Sequence, residues 1–478
     1  MTLMAVPGWL ESILPMIFVG FAGFLILAIG MKVDSGKAFS SITFVALALS
    51  LVSVVWQSYD PVAGSLVTFN PFNAYFAAIL IISSLFVTFP ALRNLTERRD
   101  IFYSLLLFVT LGMLVASFTM NLVVMFVAFE AVSIGTYVMA GFHKTRRALE
   151  ASAKYFFTGA VSTGFIVLGL SYYFQATGTF DLTAVTIVSR IPLLTALAFL
   201  IIGFGFKLAI FPMHQWAIDT YDGSENSVSA LLSTGSKILA FMIMLKLFVV
   251  GFPLLGQSVF IFFTILAILT MTYGNISALS ETRLKRLLAY SSVAQAGYMI
   301  LVFSAVAYAQ YNGMSAGYIQ FIVAAGMLYS LIYIFMKGGA FLALNSIGKE
   351  NPGLEDISGM GTRSPALALS FTVLLLALAG IPLTGGFTAK AWLFLSLINV
   401  KLWWLAVIAI LNSAISVFYY FRVISYMYRK EPLSGVIIST EKSVIVPVAL
   451  AAAIVVALGI YFYVIYFILP FVGFLVGG

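Results

Sequence analysis

Phe204-Gly205-Phe206-Lys207-Leu208-Ala209-Ile210-Phe211-Pro212-Met213-His214 is an apolar stretch with a charge inside it and a breaker just behind it. Proline has no backbone donor and its ring clashes with the preceding turn, so a helix running through Lys207 breaks near Pro212. A second stretch repeats the arrangement: in Ala379-Gly380-Ile381-Pro382-Leu383-Thr384-Gly385-Gly386-Phe387-Thr388-Ala389-Lys390, one proline and three glycines interrupt an apolar run beside another lysine. Such paired interruptions have a meaning only inside a membrane. There they mark corresponding halves of an inverted repeat, with an ion path at the breaks.

The composition places the chain in that setting. Of 478 residues, 62% are hydrophobic and 9% are charged, against roughly 25% charged in soluble domains. Apolar runs of about 20 residues fit membrane-crossing helices, because backbone facing lipid must satisfy its own hydrogen bonds. Hydropathy gives spans at 13–31, 39–57, 72–91, 100–119, 121–141, 152–175, 190–214, 226–251, 256–279, 287–308, 319–345, 366–398, 402–428 and 444–469. The fold class expected is an all-α polytopic membrane protein with about 14 transmembrane helices. Helices 7 and 12 are discontinuous, and spans 4–8 and 9–13 form two inverted five-helix repeats. No linker separates domains, so residues 1–478 form a single membrane domain: 1–99 carries the first three spans, 100–251 and 256–428 the repeats, and 444–469 the last span. The first run, followed by Lys32, reads as a retained span rather than a cleaved signal.

The net charge of +8 reflects topology. Odd-numbered loops hold sixteen basic residues, from Lys32 and Arg93 through Arg146 and Arg283 to Lys430 and Lys442, whereas even-numbered loops hold only Arg190 and Lys401. Positive residues accumulate on the cytoplasmic side, so the odd loops face the cytoplasm and both termini face outward. Nucleic acid is not needed as a partner. The absence of cysteine excludes disulfides, thiolate chemistry and iron–sulfur ligation by this chain.

Six ionisable residues sit where the bilayer should be: Glu130, Lys154, Lys207, Lys237, Lys337 and Lys390. A charge at the bilayer centre costs roughly 2.5–3.5 kcal/mol on insertion scales, so such groups mark polar paths. Glu130 is the only acidic residue near the middle of a span. Lys207, Lys237 and Lys390 lie too deep for their ammonium groups to reach an interface. Lys246 and Arg422, nearer span ends, are expected to snorkel. Lys154 is spaced i,i+4 from Glu150 and suits an ordinary helix-surface pair. His214, at the break, suits proton relay. Asp219, Asp222 and Glu225 read as an acidic loop balancing the basic loops around it.

Several strings resemble the antiporter-like subunits of respiratory complex I. They are FHKTRRALEASAKYF from Phe142 to Phe156, FKLAIFPMHQW from Phe206 to Trp216, DTYDG from Asp219 to Gly223 and LKRLLAYSS from Leu284 to Ser292. The later strings, AGIPLTGGFTAK from Ala379 to Lys390 and NSAISVFYYFR from Asn412 to Arg422, are most similar to the N subunit, the mitochondrial subunit two class. The resemblance implies fourteen helices and a proton relay through Glu130, Lys207, Lys237 and Lys390. Lys154 matches a further family lysine. His214 and Lys337 stand beside this set as possible relay or modulating groups.

Two departures point to a divergent member, archaeal or from a hydrogenase-like or deazaflavin-dependent complex. Lys337, within FMKGGAF, looks more like the M and L subunits or the multisubunit cation/proton antiporters. The segment YDGSENSV from Tyr221 to Val228 lacks the proline turn usual before the eighth span. The short stretch after the last span leaves no room for the lateral helix of the L subunit.

The function implied is proton translocation in a prokaryotic plasma membrane, coupled to quinone reduction elsewhere in a complex I-like assembly. This chain would be a non-catalytic subunit of that translocase, with no cofactor or metal of its own. Quinone and redox centres belong to partner membrane subunits. The alternatives are a subunit of a multisubunit Na+/H+ antiporter or of a membrane-bound hydrogenase-type complex.

Overall fold

The computed structural model describes residues 8–57, 66–91, 95, 97–252, 256–429, 431 and 437–476. Arg93 and Lys430, two of the cations that set the expected orientation, lie outside these residues, as do both chain ends.

All named elements are helices. The first six spans are α1 (Gly8–Gly30), α2 (Gly36–Gln57), α3 (Pro71–Thr88), α4 (Arg99–Ser117), α5 (Leu122–Ala140) and α6 (Arg146–Thr177). The seventh comprises α7a (Arg190–Leu208) and a short α7b (Gln215–Gly223) across the expected break. Then follow α8 (Asn226–Gly251), α9 (Gln257–Ser280), α10 (Leu284–Tyr311) and α11 (Ala316–Ala343). The twelfth is again broken, into α12a (Pro365–Ala379) and α12b (Gly385–Asn399), and α13 (Trp403–Arg429) and α14 (Lys442–Ile460) complete the set. Among the described residues thirteen helices are each long and apolar enough to cross a membrane, or fourteen if the bent pair Glu355–Arg363 and Pro365–Ala379 counts as one span, in keeping with the expected number.

Local chemistry sets the boundaries. Asn121 caps α5 by accepting from the amides of Val123 and Val124, and Thr145 caps α6 by accepting from Ala148. Each cap satisfies a donor that the first helical turn leaves orphaned. The Thr145 cap starts α6 six residues before the expected span, so Lys154 lies two turns into the helix rather than at its beginning.

Three expectations are corrected. The last span does not run to residue 469: α14 ends at Ile460, and a separate helix, α15 (Ile465–Val476), packs against α3 and α11. Both flanks are apolar, so hydropathy does not register the turn. Just before the turn, Gly459 lets α14 pass close to the break in the twelfth span, since a side chain there would meet the backbone of Leu383 and Thr384. The acidic loop at 215–225 is largely helical and buried, with Trp216, Ile218 and Tyr221 inside. Glu225 caps α8 by accepting from the amides of Ser227 and Val228.

Burial shows which helices are central. The apolar 18-residue stretch is wholly buried in α8 and 94% buried in α10, against 28% in α1 and α14. α10 and α9 approach closely through glycines: a side chain at Gly297 would strike Met271, and one at Gly274 would strike Ala294. Small residues allow backbones to meet where burial of apolar surface supplies no driving force against lipid. That contact places the hydroxyl-bearing segment of α10 at the molecule's centre. α8 is interrupted by two π turns, Leu232–Ser236 and Leu247–Gly251, which bracket Lys237 and Lys246. Such turns widen a helix locally and recur at functional positions.

Candidate functional site

The break after Lys207 is closed by backbone geometry. Ala209 adopts a left-handed conformation (φ 59°) and returns its amide to Gly205 and Phe206. Trp216 Nε1 donates to Phe206 O at 2.7 Å, satisfying a further terminal carbonyl. Lys207 is thereby fixed in the last turn of α7a, buried, with Nζ donating to Tyr155 OH at 2.5 Å, Ser133 Oγ at 3.2 Å and Thr136 Oγ1 at 3.3 Å. Its ammonium also lies 4.8 Å from the centre of the Tyr155 ring, a contact that stabilises a desolvated cation.

Glu130 lies one turn from Ser133 on α5. It accepts from Thr163 Oγ1 at 2.9 Å and is half-buried. No ion pair within 4.0 Å joins it to Lys207 among the described residues.

Three lysines converge on α10 and its neighbours. Lys237, fully buried at the end of the first π turn, donates to Ser292 O and Ser292 Oγ, both at 2.8 Å. Ser292 Oγ is in turn 2.8 Å from Tyr333 OH. Lys337 donates to the adjacent Ser291 Oγ at 2.5 Å and to Leu288 O at 3.1 Å, and Ser291 Oγ bonds Tyr420 OH. Lys390 lies past the second break, yet reaches back over it to Leu378 O at 2.9 Å and Ala379 O at 3.1 Å, the carbonyl end of α12a. Cations are favoured at that end of a helix. Its third bond goes to Ser413 Oγ at 2.9 Å. Gln295 joins this group by donating to Leu378 O at 3.2 Å while accepting from Tyr329 OH.

Among the described residues none of Lys207, Lys237, Lys337 and Lys390 has a carboxylate within ion-pair distance. Uncompensated buried charge is costly.

The remaining expected residues divide. His214 is buried, its ring 4.5 Å from that of Tyr273, with neither nitrogen hydrogen-bonded. Lys154 stands apart from the path: its side chain is 48% exposed and bridges Glu150 at 2.8 Å and Asp219 at 3.1 Å. Sequence reasoning missed Lys246, which does not snorkel. It is fully buried and caps α4, donating to Ala116 O, Ser117 O and Thr119 O at 3.3, 2.5 and 3.0 Å. Arg422 likewise does not reach simply for solvent: it caps α9 through Leu279 O at 2.7 Å and Glu281 O at 2.5 Å. Lys285, counted as a cytoplasmic loop charge, is buried against Ser224 O at 2.7 Å.

Fold and site together define a class: a polytopic helical membrane protein with two broken helices and a row of buried lysines crossing its interior. Residues 119–416 match the family described as NADH:quinone oxidoreductase/Mrp antiporter, TM, and the chain belongs to it. Among relatives, F(420)H(2) dehydrogenase subunit N of Methanosarcina mazei is 41% identical over 408 residues, covering 80% of this chain and 78% of its own. NADH-quinone oxidoreductase subunit N of Trichlorobacter lovleyi is 35% identical over 445 residues, with 88% of each chain covered. A chain of respiratory complex I from Thermus thermophilus superposes with a TM-score of 0.82 at 29% identity, covering 95% of this chain and 98% of that one.

Proposed function

We propose that this chain is a proton-translocating membrane subunit of a complex I-like quinone oxidoreductase in a prokaryotic plasma membrane. Protons move along Glu130, Lys207, Lys237 and Lys390, with Lys337 joining the path beside Lys237. The driving redox chemistry, quinone included, resides in partner subunits, and this chain is non-catalytic. Lys154 acts as a positioning residue through Asp219, and His214 modulates the path at the first break. The odd-numbered loops face the cytoplasm and both termini face outward.

One observation carries the reading: four lysines buried across the interior, none paired with a carboxylate among the described residues. Each can change charge as a proton passes. A sodium path would instead need several oxygen ligands of suitable charge, and the ammonium groups here repel a metal cation. The relatives are named as subunits of an F(420)H(2) dehydrogenase and of NADH-quinone oxidoreductases, which leaves the electron donor as the variable element of the assembly.

The test is proton-to-electron stoichiometry of the assembled complex in membrane vesicles. Glu130→Gln keeps an oxygen to accept from Thr163, and Lys237→Ala removes the central ammonium; each should strongly lower the ratio while the subunit stays inserted. An unchanged ratio in both variants overturns the reading.

A further inference from the structure

Five of the buried lysines fall into two kinds according to what receives their hydrogen bonds, while Lys390, with two carbonyls and Ser413 Oγ, stands between them. Lys246 and Lys285 donate only to backbone carbonyls: those of Ala116, Ser117 and Thr119 for the first, and of Asp222 and Ser224 for the second. A carbonyl accepts a hydrogen bond but has no proton to pass on. Lys207, Lys237 and Lys337 each also touch hydroxyls, and in each case a serine and a tyrosine are present. For Lys207 these are Ser133 and Tyr155, both bonded directly. For Lys237 they are Ser292 and, through it, Tyr333. For Lys337 they are Ser291 and, through it, Tyr420. A hydroxyl is donor and acceptor at one oxygen. It can take a proton from an ammonium as its own leaves for the next acceptor.

All three tyrosines are buried: Tyr155 and Tyr420 are 0% exposed, and so is Tyr333. They come from three different helices, α6, α11 and α13, while the two adjacent serines of α10 serve two lysines, Lys237 of α8 and Lys337 of α11. Packing alone calls for aromatic rings at these places but not for hydroxyls aimed at a lysine–serine pair.

We infer that Tyr155, Tyr333 and Tyr420, each with its serine, are proton-carrying residues of the relay, and that Lys246 and Lys285 stand outside it. This rests on the relay reading above. In one step a lysine N–H bond breaks and a serine or tyrosine O–H bond forms. The serine's original O–H bond breaks towards the tyrosine oxygen and the tyrosine's towards a water molecule, leaving a neutral amine. No electron changes hands. Ser291 and Ser292 are adjacent on α10, so the two lysine sites lie side by side and charge on one opposes charge on the other.

The experiment uses the whole complex in sealed vesicles, with donor oxidation and proton movement recorded together and turnover repeated in D2O. Tyr333→Phe and Tyr420→Phe keep the rings and remove only the hydroxyls. Each should lower protons moved per electron towards the Lys237→Ala value and raise the solvent isotope effect, whereas Lys246→Met in assembled complex should change neither. If Tyr333→Phe, Tyr420→Phe and Ser292→Ala all keep the wild-type ratio while Lys237→Ala lowers it, the hydroxyl inference fails and the relay stands. If Lys237→Ala also keeps that ratio, both fail. Should a tyrosine variant not assemble, Ser292→Ala decides by the same ratio.

Discussion

Lys237 and Lys246 occupy the same buried helix, nine positions apart, and differ in what their ammonium groups can exchange with. Three N–H donors of Lys246 meet three carbonyls at the end of α4, a complete set of acceptors for an ammonium group. Lys246→Met should therefore act on stability, leaving carbonyls unsatisfied at about 1–3 kcal/mol. A lowered thermal midpoint of the solubilised complex, with unchanged stoichiometry in what survives, is the expected result. The depth of Lys237, Lys337 and Lys390 could be read from the sequence because each lies well inside an apolar run. The mistake over Lys246 has a physical cause. Snorkelling needs a helix that faces lipid, and hydropathy does not distinguish a lipid-facing helix from α8, which is wholly enclosed. Nor does any local pattern show that serines on α10 and tyrosines on α11 and α13 meet those lysines; that depends on how distant helices pack.

The two broken helices were visible as elements because proline and glycine interrupt a long apolar pattern, but the reason for each glycine appears only in three dimensions. At Gly386 an added Cβ would lie 1.8 Å from Ala377 O, so the first turn of α12b passes directly over the last turn of α12a. That overlap brings Lys390 back to the carbonyls of Leu378 and Ala379. Gly386→Ala should force the half-helices apart, lowering both the yield of assembled complex and the proton-to-electron ratio of any that remains. Gly164→Ala on α6, where nothing lies within 4 Å, should leave both unchanged and may be run as the matched control. Equal behaviour of the two variants would show that the overlap has no such role.

Across the whole molecule, one carboxylate ties the first half of the chain to the second. Asp222 Oδ2 lies 2.5 Å from Arg147 on α6 and 3.0 Å from Arg283 at the start of α10, with Arg286 at 4.0 Å. Asp222→Asn keeps the shape and removes the charge that three guanidinium groups share. It should lower the thermal midpoint, with the deficit narrowing as salt screens the exposed part of the cluster. Topology can be tested on the same scale because the chain has no cysteine. With Lys144→Cys and Val188→Cys made singly, an impermeant maleimide should reach the first only from the cytoplasmic side and the second only from outside. The opposite pattern would invert the orientation.

The position of Glu130 has a consequence for the life of the protein before assembly. Its neighbours along α5, Val127, Ile134 and Val138, are 60%, 60% and 50% exposed, so the half-buried carboxyl group opens onto an apolar outer wall. Hydrocarbon offers it no hydrogen bond, whereas a neighbouring polypeptide can. An orphan copy in the bilayer thus carries a mark that disappears when a companion docks on that wall, a membrane counterpart of an exposed sticky patch on an unassembled soluble subunit. Docking of a companion on that wall would thus bury Glu130 and its apolar neighbours together.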